Sequence, residues 1–396
     1  MAHNRYELRR FHEWRLHATP GVCVNVGIIG CGFVADYYAA TLPGHPELTL
    51  VGVADRDAAR ARKFATHYAT RCFASVDELL ADPNIDLVLN LTNPSSHYDV
   101  SKMSLTAGKH VYSEKPLATE LAQATELVEL AESRGLEITS APCNLLGETA
   151  QTMWKALRGN AVGPVRVAYA EMDEGLVHRM PFRQWASASG TPWPYRDEFE
   201  MGTTMEHAGY ILTWLPAFFG PAVSVTSFSD CLIPDKLPGE TLPSSAPDFA
   251  VACIRFASGV VARMTCSLIA PHDHSLRIVG DNGVLCTDDT WFYTKPVYIR
   301  RSTIIRRRHI WLPWNKKVPL VRKGQKYGYR GVQQMDFARG PAELAASVRE
   351  HRASRLPARY ALHVNEILLA VQHGSEGGTY RMTTTFDPLE PMPWAR

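Results

Sequence analysis

The chain has 396 residues, more than a single hydrophobic core usually organises, so its length predicts two domains. Hydrophobic residues make up 45% of the chain and charged residues 21%, which is typical of a globular protein and excludes disordered and fibrous classes. The formal net charge is only +2, which argues against a dedicated nucleic-acid-binding protein.

The cysteines and the N-terminus bear on the cellular compartment. The eight cysteines are scattered singly, and no two have the CxxC spacing of a zinc or redox motif. Such a pattern is typical of reduced thiols in a cytosolic protein. Residues 1–21 contain four arginines and no apolar run of signal-peptide length, and no stretch of the chain reaches membrane-spanning length. We therefore expect a cytoplasmic protein without a membrane span.

In the N-terminal part, short apolar runs alternate with helical patterns, which is the signature of βαβ units and a parallel sheet. The predicted strands are 22–29, 48–54, 87–91, 110–113 and 137–140, and the predicted helices are 58–67, 98–107 and 120–134. We predict an α/β Rossmann domain with a doubly wound parallel sheet over residues 22–145, preceded by an N-terminal extension over residues 1–21.

After residue 145 the pattern changes to strands with few helices between them. Strands are predicted at 165–170, 222–228, 249–256, 260–268 and 275–279, with a hairpin turn at Ser258-Gly259, and late helices at 342–352 and 359–372. Residues 146–396 are therefore predicted to form an α+β domain for substrate binding and oligomerisation, with a largely antiparallel open sheet.

The first predicted strand leads into the sequence Gly30-Cys31-Gly32-Phe33-Val34-Ala35, a GxGxxA motif between a strand and a helix. Gly30 permits a tight turn, Gly32 lets the backbone approach a pyrophosphate, and Ala35 keeps the helix close to the strand. We therefore predict that this turn, including Phe33 and Val34, binds a dinucleotide.

The end of the second predicted strand bears on the choice between NAD and NADP. Asp55 follows that strand, where a carboxylate can bind the ribose hydroxyls of NAD. Arg56 can instead pair with the 2′-phosphate of NADP. NAD is the predicted cofactor, and NADP stays open.

Two further stretches carry a family resemblance: Asn90-Leu91-Thr92-Asn93-Pro94-Ser95-Ser96-His97 and Ala107-Gly-Lys-His-Val-Tyr-Ser-Glu-Lys-Pro116. With them the chain resembles the glucose-fructose oxidoreductase, inositol dehydrogenase and rhizopine-catabolism (Gfo/Idh/MocA) family from Val22 to about Gly378. The resemblance implies NAD(P)-dependent oxidation or reduction of sugars, nucleotide sugars or cyclitols. It also implies a homo-oligomer, a dimer or a tetramer, because the open sheet of such proteins often forms a subunit interface.

The resemblance also implies roles for individual residues of the Rossmann domain. Thr92, Asn93 and His97 are expected to line the dinucleotide groove, with Glu114 and Lys115 at its nicotinamide end. Lys115 lies just past the carboxyl end of a predicted parallel strand, where ligands of open α/β sheets collect. An ammonium group there can stabilise developing alkoxide charge, so Lys115 is predicted to bind substrate and to be catalytic.

A second acid/base group is expected from the family pattern in the C-terminal domain, where an acidic residue is followed four positions later by His or Tyr. Counting back from Gly220 places Glu206 and Tyr210 at these positions as substrate-binding residues, with Tyr210 also catalytic. Tyrosine replaces the commoner histidine, and Thr213 stands where a further aspartate is usual. His207 is the alternative catalytic residue, because imidazole titrates near neutrality.

Other segments carry weaker signals. Asp173, Arg183 and Trp193 belong to a polar and aromatic stretch of the kind that sugar sites use, which predicts either substrate contacts or simply the polarity of an exposed loop. His272 and His274 supply two ligand-type side chains without an evident third, so no metal is predicted. Residues 300–330 are strongly basic, and the sequence leaves open whether they bind an anion, contact another subunit or form a solvated face.

The leading interpretation is an NAD(P)-dependent dehydrogenase that transfers a hydride to or from a carbinol of a small sugar-like molecule. A redox-assisted glycosidase, which oxidises the sugar only transiently and releases an aglycone, is the first alternative. A non-catalytic dinucleotide-binding protein is the second, and the Thr213 substitution keeps it open.

Overall fold

The computed structural model describes residues 23–240, 242, 246–323, 335–374 and 378–396, and they form two compact units. The first unit runs through Ala141 and also contains two later segments, Ala186–Thr191 and Phe337–Ala361. The second unit comprises Pro142–Trp185, Pro192–Asp336 and Leu362–Arg396. A contiguous division at residue 145 does not anticipate the two later segments, because long-range hydrogen bonds tie them to the first unit. The Ser189 hydroxyl, for example, donates to the Asp36 carboxylate at 2.9 Å.

The first unit contains a six-stranded, fully parallel sheet in the order β3-β2-β1-β4-β5-β6. Its strands are β1 Val24–Ile29, β2 Leu48–Ala54, β3 Arg71–Cys72, β4 Leu87–Asn90, β5 His110–Ser113 and β6 Ile138–Ser140. The predicted doubly wound sheet is confirmed, and β2 and β5 have the predicted bounds. Val22, the predicted start of the first strand, lies outside the described residues. The two-residue strand β3 was not predicted, because it is too short to show an alternating pattern.

Helices connect the strands of this sheet: Ala35–Thr41, Ala58–His67, Val76–Ala81, His97–Thr106 and Leu121–Arg134. The helix Arg339–Glu350 belongs to the later segment Phe337–Ala361 of the same unit. The helix at 58–67 starts where the Asp57 side chain accepts hydrogen bonds from two free backbone N–H groups. The helix at 121–134 ends at Gly135, whose φ of 66° suits a glycine C-cap. The six-residue helix Val76–Ala81 was not predicted, because it is too short for a clear periodicity.

The second unit contains a ten-stranded sheet in the order β14-β13-β12-β11-β7-β10-β9-β8-β16, with β15 paired to β13. Only the β7–β10 pair is parallel, so the predicted, largely antiparallel sheet is confirmed. The strands are β7 Val165–Asp173, β8 Ala222–Asp230, β9 Phe249–Phe256, β10 Val261–Ser267, β11 Leu276–Gly280, β12 Gly283–Thr287, β13 Val297–Ile305, β14 Arg308–Trp311, β15 Lys316–Val318 and β16 Thr379–Arg381. The last five were not predicted.

The strands β13, β14 and β15 belong to the basic region and were not predicted. Only the start of β13 has buried side chains, at Val297 and Ile299, and the rest of the three strands is largely exposed and shows no apolar alternation. Strands β13 and β14 form a hairpin whose two turn residues, Arg306 and Arg307, have φ values of 52° and 89°. Two positive φ values in a two-residue turn match the twist of the flanking strands. The part of the basic segment from residue 324 to 330 lies outside the described residues.

The helices of the second unit are Glu148–Arg158, Tyr195–Met201, Gly209–Leu212 and Leu215–Phe219. The helix Ala358–Gln372 begins with the last four residues of the first unit and continues in the second. Thr204–Ala208 forms a π-helical turn between two of them. A π turn has wider hydrogen-bonded rings than an α-helix. Glu206 lies within this π turn and Tyr210 in the α-helix that follows it, and their predicted pairing stays a prediction. None of the described helices combines the length and apolar character that crossing a bilayer requires.

Candidate active site

The glycine turn after β1 has the features that dinucleotide binding requires. Gly30 has a φ of +96°, and a Cβ atom there would lie 2.6 Å from the Leu91 carbonyl oxygen, so only glycine fits. At Gly32 the nearest atom to such a Cβ is 4.0 Å away, so the backbone is open on that side. Ala35 is fully buried at the start of the next helix, whereas Phe33 and Val34 are partly exposed. The turn therefore fits a pyrophosphate at Gly32, as predicted for GxGxxA.

Asp55 is coupled to this turn directly. One of its carboxylate oxygens accepts a hydrogen bond from the Cys31 N–H at 2.8 Å, and the other accepts one from the Asp57 N–H at 2.8 Å. Arg60, rather than the exposed Arg56, lies close to the carboxylate, with Nη1 3.6 Å from Oδ2. Each oxygen keeps lone pairs for further donors, so the predicted bonds to ribose hydroxyls stay chemically available.

His97 links the loops that follow β4 and β5. It is buried, with Nδ1 2.7 Å from the Pro116 carbonyl oxygen and Nε2 2.9 Å from the Thr92 carbonyl oxygen. Burial lowers the pKa of His97, although both carbonyl groups oppose that shift. Both ring nitrogens face carbonyl oxygens, one on each loop, and a neutral ring can donate to only one of them; the predicted place of His97 in the dinucleotide groove stays a prediction. Thr92 and Asn93 are partly exposed and can reach a ligand.

Glu114 and Lys115 directly follow β5, at the same sheet edge as the glycine turn. The Tyr38 hydroxyl donates to Glu114 Oε1 at 2.7 Å, and the Lys115 N–H donates to Oε2 at 3.0 Å. Glu114 is buried and Lys115 is half-buried. The carboxylate thus fixes the backbone that presents Lys115. Sequence reasoning missed Tyr38, because nothing in the spacing shows that its helix brings the phenol to Glu114.

In the second unit, Tyr210 stacks on Trp291, with ring centroids 3.7 Å apart and an interplanar angle of 21°. The Asn144 side-chain amide donates to the Tyr210 carbonyl oxygen at 2.8 Å. The Thr213 hydroxyl in turn donates to Asn144 Oδ1 at 3.0 Å. Threonine at the position where the family commonly has aspartate therefore contributes to a hydrogen-bond network that holds the backbone of Tyr210.

His207 lies between two carboxylates. Its Nδ1 is 3.1 Å from Glu174 Oε1, and its Nε2 is 3.4 Å from Glu198 Oε2. Burial disfavours the imidazolium, but the two carboxylates outweigh burial and raise the pKa of His207 to about 10. Burial likewise opposes ionisation of Glu174, yet the His207 and His274 rings lower the pKa of that carboxyl. As an imidazolium His207 can donate a proton but not accept one, and the choice between Tyr210 and His207 as the acid/base group stays a prediction.

His274 and His272 extend this cluster. His274 Nε2 lies 3.1 Å from Glu174 Oε1, and the His274 ring stacks on Trp291 with centroids 5.4 Å apart. The exposed His272 ring packs on His274, with centroids 4.2 Å apart. Sequence reasoning found only these two histidines as ligand-type residues, because Glu174 is remote in sequence. The structure adds Glu174 to them as a third donor.

The remaining predicted substrate contacts have other partners. The buried Asp173 accepts a hydrogen bond from Ser267, and burial raises the pKa of Asp173. Arg183 forms an ion pair with Glu240 at 2.5 Å. Trp193 belongs to an aromatic cluster with Phe182, Trp185 and Phe199. Glu206 is buried in the π turn. The predicted substrate roles of these four residues stay predictions.

Comparisons with known proteins agree with the two units. Residues 24–141 match the model of an oxidoreductase family with an NAD-binding Rossmann fold, and residues 150–286 match the GFO/IDH/MocA C-terminal domain. A trans-1,2-dihydrobenzene-1,2-diol dehydrogenase from Oryctolagus cuniculus is 25% identical over 316 residues, which cover 78% of this chain and 86% of that protein.

Solved structures show the same fold. An NAD binding oxidoreductase from Klebsiella pneumoniae aligns with a TM-score of 0.74 at 20% identity, covering 92% of this chain and 100% of that one. A UDP-N-acetylglucosamine 3-dehydrogenase from Acidithiobacillus ferrooxidans aligns with a TM-score of 0.67 at 21% identity, covering 90% and 98% of the two chains.

Proposed function

Because the chain belongs to the Gfo/Idh/MocA family of oxidoreductases, we propose that it is an NAD(P)-dependent dehydrogenase acting on a carbinol of a sugar, nucleotide sugar or cyclitol. The observation that carries the proposal is the placement of Lys115. It directly follows a parallel strand, and Glu114 and Tyr38 hold its backbone at the sheet edge that bears the dinucleotide turn.

Lys115 has the chemistry to bind the reacting oxygen. When bound, the nicotinamide supplies the hydride chemistry. The Lys115 ammonium donates a hydrogen bond to the substrate hydroxyl and stabilises the negative charge that develops on that oxygen. The Glu114 carboxylate accepts from the Lys115 backbone N–H and so limits the movement of this segment.

Tyr210 is the second group that we assign to proton transfer. Its phenol can donate a proton and its phenolate can accept one, and its ring stacks on Trp291. Asn144 and Thr213 fix its backbone, which favours a positioned rather than a freely rotating phenol. His207, as an imidazolium between Glu174 and Glu198, serves charge balance in this part of the unit instead.

The substrate panel follows from the family, from one relative and from one protein of similar fold. The rabbit protein is named for a cyclic vicinal diol, which shares adjacent secondary carbinols with sugars and cyclitols. The Acidithiobacillus protein is named for a nucleotide sugar. Vicinal diols, cyclitols, free sugars and nucleotide sugars are therefore the compounds to test. NAD is our preferred cofactor because Asp55 accepts two backbone hydrogen bonds beside the glycine turn and would repel a 2′-phosphate.

A thermal-shift screen followed by turnover measurements tests the proposal. A ligand that binds the folded protein must raise its unfolding temperature, so NAD(H) and NADP(H) are compared first, and the substrate panel is added with the better cofactor. We expect stabilisation by NAD and net NADH formation with one class of the panel. No stabilisation by either dinucleotide contradicts the proposal, and aglycone release without net change in NADH identifies a redox-assisted glycosidase instead. Stabilisation by NAD without turnover of any compound favours the non-catalytic alternative.

We further propose a homo-oligomer in the cytoplasm. The oligomer rests on the resemblance, since the family often assembles through its open sheet, and the compartment rests on the eight cysteines, which are free thiols. Light scattering of the purified protein should give a mass that is an even multiple of the monomer mass.

A further inference from the structure

Backbone pairing brings three metal-ligating side chains together in the second unit. Asp173 at the end of β7 forms an antiparallel bridge with Asp273, and their backbone N–H and carbonyl groups exchange hydrogen bonds at 2.9 Å. The bridge places Glu174, the next residue after β7, opposite the two histidines that flank Asp273. One donor atom each of Glu174, His272 and His274 lies within 4.8 Å of the other two.

The hydrogen bonding of this cluster is incomplete. Both ring nitrogens of His274 are buried, and neither has an aligned hydrogen-bond partner among the described residues. Glu174 Oε1 is buried as well, and its contacts of 3.1 Å with His274 Nε2 and with His207 Nδ1 both lack the direction of a hydrogen bond. Buried polar atoms without a partner are uncommon in folded proteins, so the arrangement calls for a ligand.

A carboxylate oxygen and two imidazole nitrogens are the ligands that zinc uses in proteins. Zinc bonds of about 2.0–2.1 Å at a tetrahedral angle place two ligand atoms about 3.3 Å apart, close to the 3.1 Å between Glu174 Oε1 and His274 Nε2. We propose that Glu174, His272 and His274 bind a divalent transition-metal ion, with Zn²⁺ as the best match, and leave one coordination position for water. The exposed His272 gives the ion access from solvent.

The charge around the cluster favours a cation. Two acidic side chains, Glu174 and Glu198, lie within 3.4 Å of the His207 ring. A divalent ion bound to Glu174 and two imidazoles adds positive charge beside these acidic groups. Metal binding also fixes the His274 ring, which stacks on the same Trp291 that stacks on Tyr210. Through Trp291 the bound metal would also order Tyr210, and only this last consequence rests on the proposed function.

A zinc titration of the full chain tests the site. The exposed Cys23 and Cys253 are first alkylated so that thiols do not compete, and the EDTA-treated protein is titrated with Zn²⁺ against a chromophoric chelator. We expect one Zn²⁺ per chain, and His272→Ala should weaken its affinity by at least about tenfold, since even outer-shell changes cost about 10–100-fold. His309→Ala, which removes another exposed histidine of the same unit, should leave the affinity unchanged.

Two further measurements guard against misreading a loss of binding. Glu174→Gln, checked for folding by circular dichroism, should weaken Zn²⁺ as well, and if it does not fold, the exposed His272 variant decides. Co²⁺ should give the visible absorption of a four-coordinate site in the wild type and not in His272→Ala. No Zn²⁺ bound, or equal affinity in wild type and His272→Ala, overturns the proposal. Since the titration needs no dinucleotide or substrate, its failure is distinct from failure of the proposed dehydrogenase activity.

Discussion

Alanine at the two glycines of the dinucleotide turn should have different effects: it should lower the folding stability at Gly30 and the cofactor affinity at Gly32. At Gly30, an added methyl group would lie 2.6 Å from the Leu91 carbonyl oxygen, at a backbone φ of +96°. A residue with a side chain in the left-handed region costs about 1–2 kcal/mol, and overpacking costs about 1–3 kcal/mol more. Gly30→Ala should therefore lose about 2–5 kcal/mol of folding free energy.

At Gly32 the methyl group meets no protein atom nearer than 4.0 Å, so Gly32→Ala should keep the stability of the wild type. The same methyl group occupies the open side that we assign to the pyrophosphate. Overpacking by about 1–3 kcal/mol should raise the dissociation constant of Gly32→Ala for NAD roughly 5- to 150-fold.

The assay combines thermal unfolding with fluorescence titration of NADH for both variants and the wild type. We expect a lowered melting temperature for Gly30→Ala and weakened NADH binding at wild-type stability for Gly32→Ala. If Gly32→Ala binds NADH as tightly as the wild type, the pyrophosphate does not lie at this turn and the reasoning fails. A Gly30→Ala protein that melts with the wild type would refute the steric argument.

Three other predictions address stability and catalysis. Burial lowers the pKa values of His110 and His363 to about 4, and both neutral rings accept backbone hydrogen bonds. The stabilisation that the two neutral rings contribute is complete above about pH 6.5 and is lost, by about 3 kcal/mol for each ring, as the pH falls toward 4. The melting temperature should therefore fall over this pH window, and His363→Asn should make that fall less steep. Tyr38→Phe removes the hydroxyl that donates to Glu114 and should cost about 1.5–3 kcal/mol of unfolding free energy and lower kcat; unchanged melting would contradict this role. Tyr210→Phe keeps the aromatic ring and should lower kcat by about 10²-fold or more, whereas wild-type kcat would exclude the phenol from proton transfer.

The Rossmann unit is the part of the molecule that sequence reasoning predicts best. Its strands are short apolar runs bounded by turn residues, and the GxGxxA motif follows β1 in the predicted position. The predicted and observed strands agree well because each βαβ unit is formed by residues close in sequence. Lys115 was identified from its local Glu-Lys-Pro context, and its position just after β5 agrees with that prediction.

The cluster around His207 was beyond sequence reasoning. The bridge at Asp273 brings Glu174 and His274 together, whereas Glu198 comes from the helix Tyr195–Met201 and His207 from the π turn. No local pattern encodes these contacts. The π turn at Thr204–Ala208 was missed for a related reason, since a single widened turn leaves no periodicity in the sequence.

The most direct test of the account is the turnover of Lys115→Met with the best substrate of the panel. Methionine keeps the length and much of the apolar surface of the side chain but removes the ammonium group. We predict that NADH formation falls by about 10²-fold or more while NADH affinity and melting temperature stay close to the wild type. Lys102→Met, which removes a partly exposed lysine of the same unit that pairs with Glu126, should leave turnover and NADH affinity unchanged. Wild-type turnover by Lys115→Met would contradict the assignment of this lysine and, with it, the proposed active site.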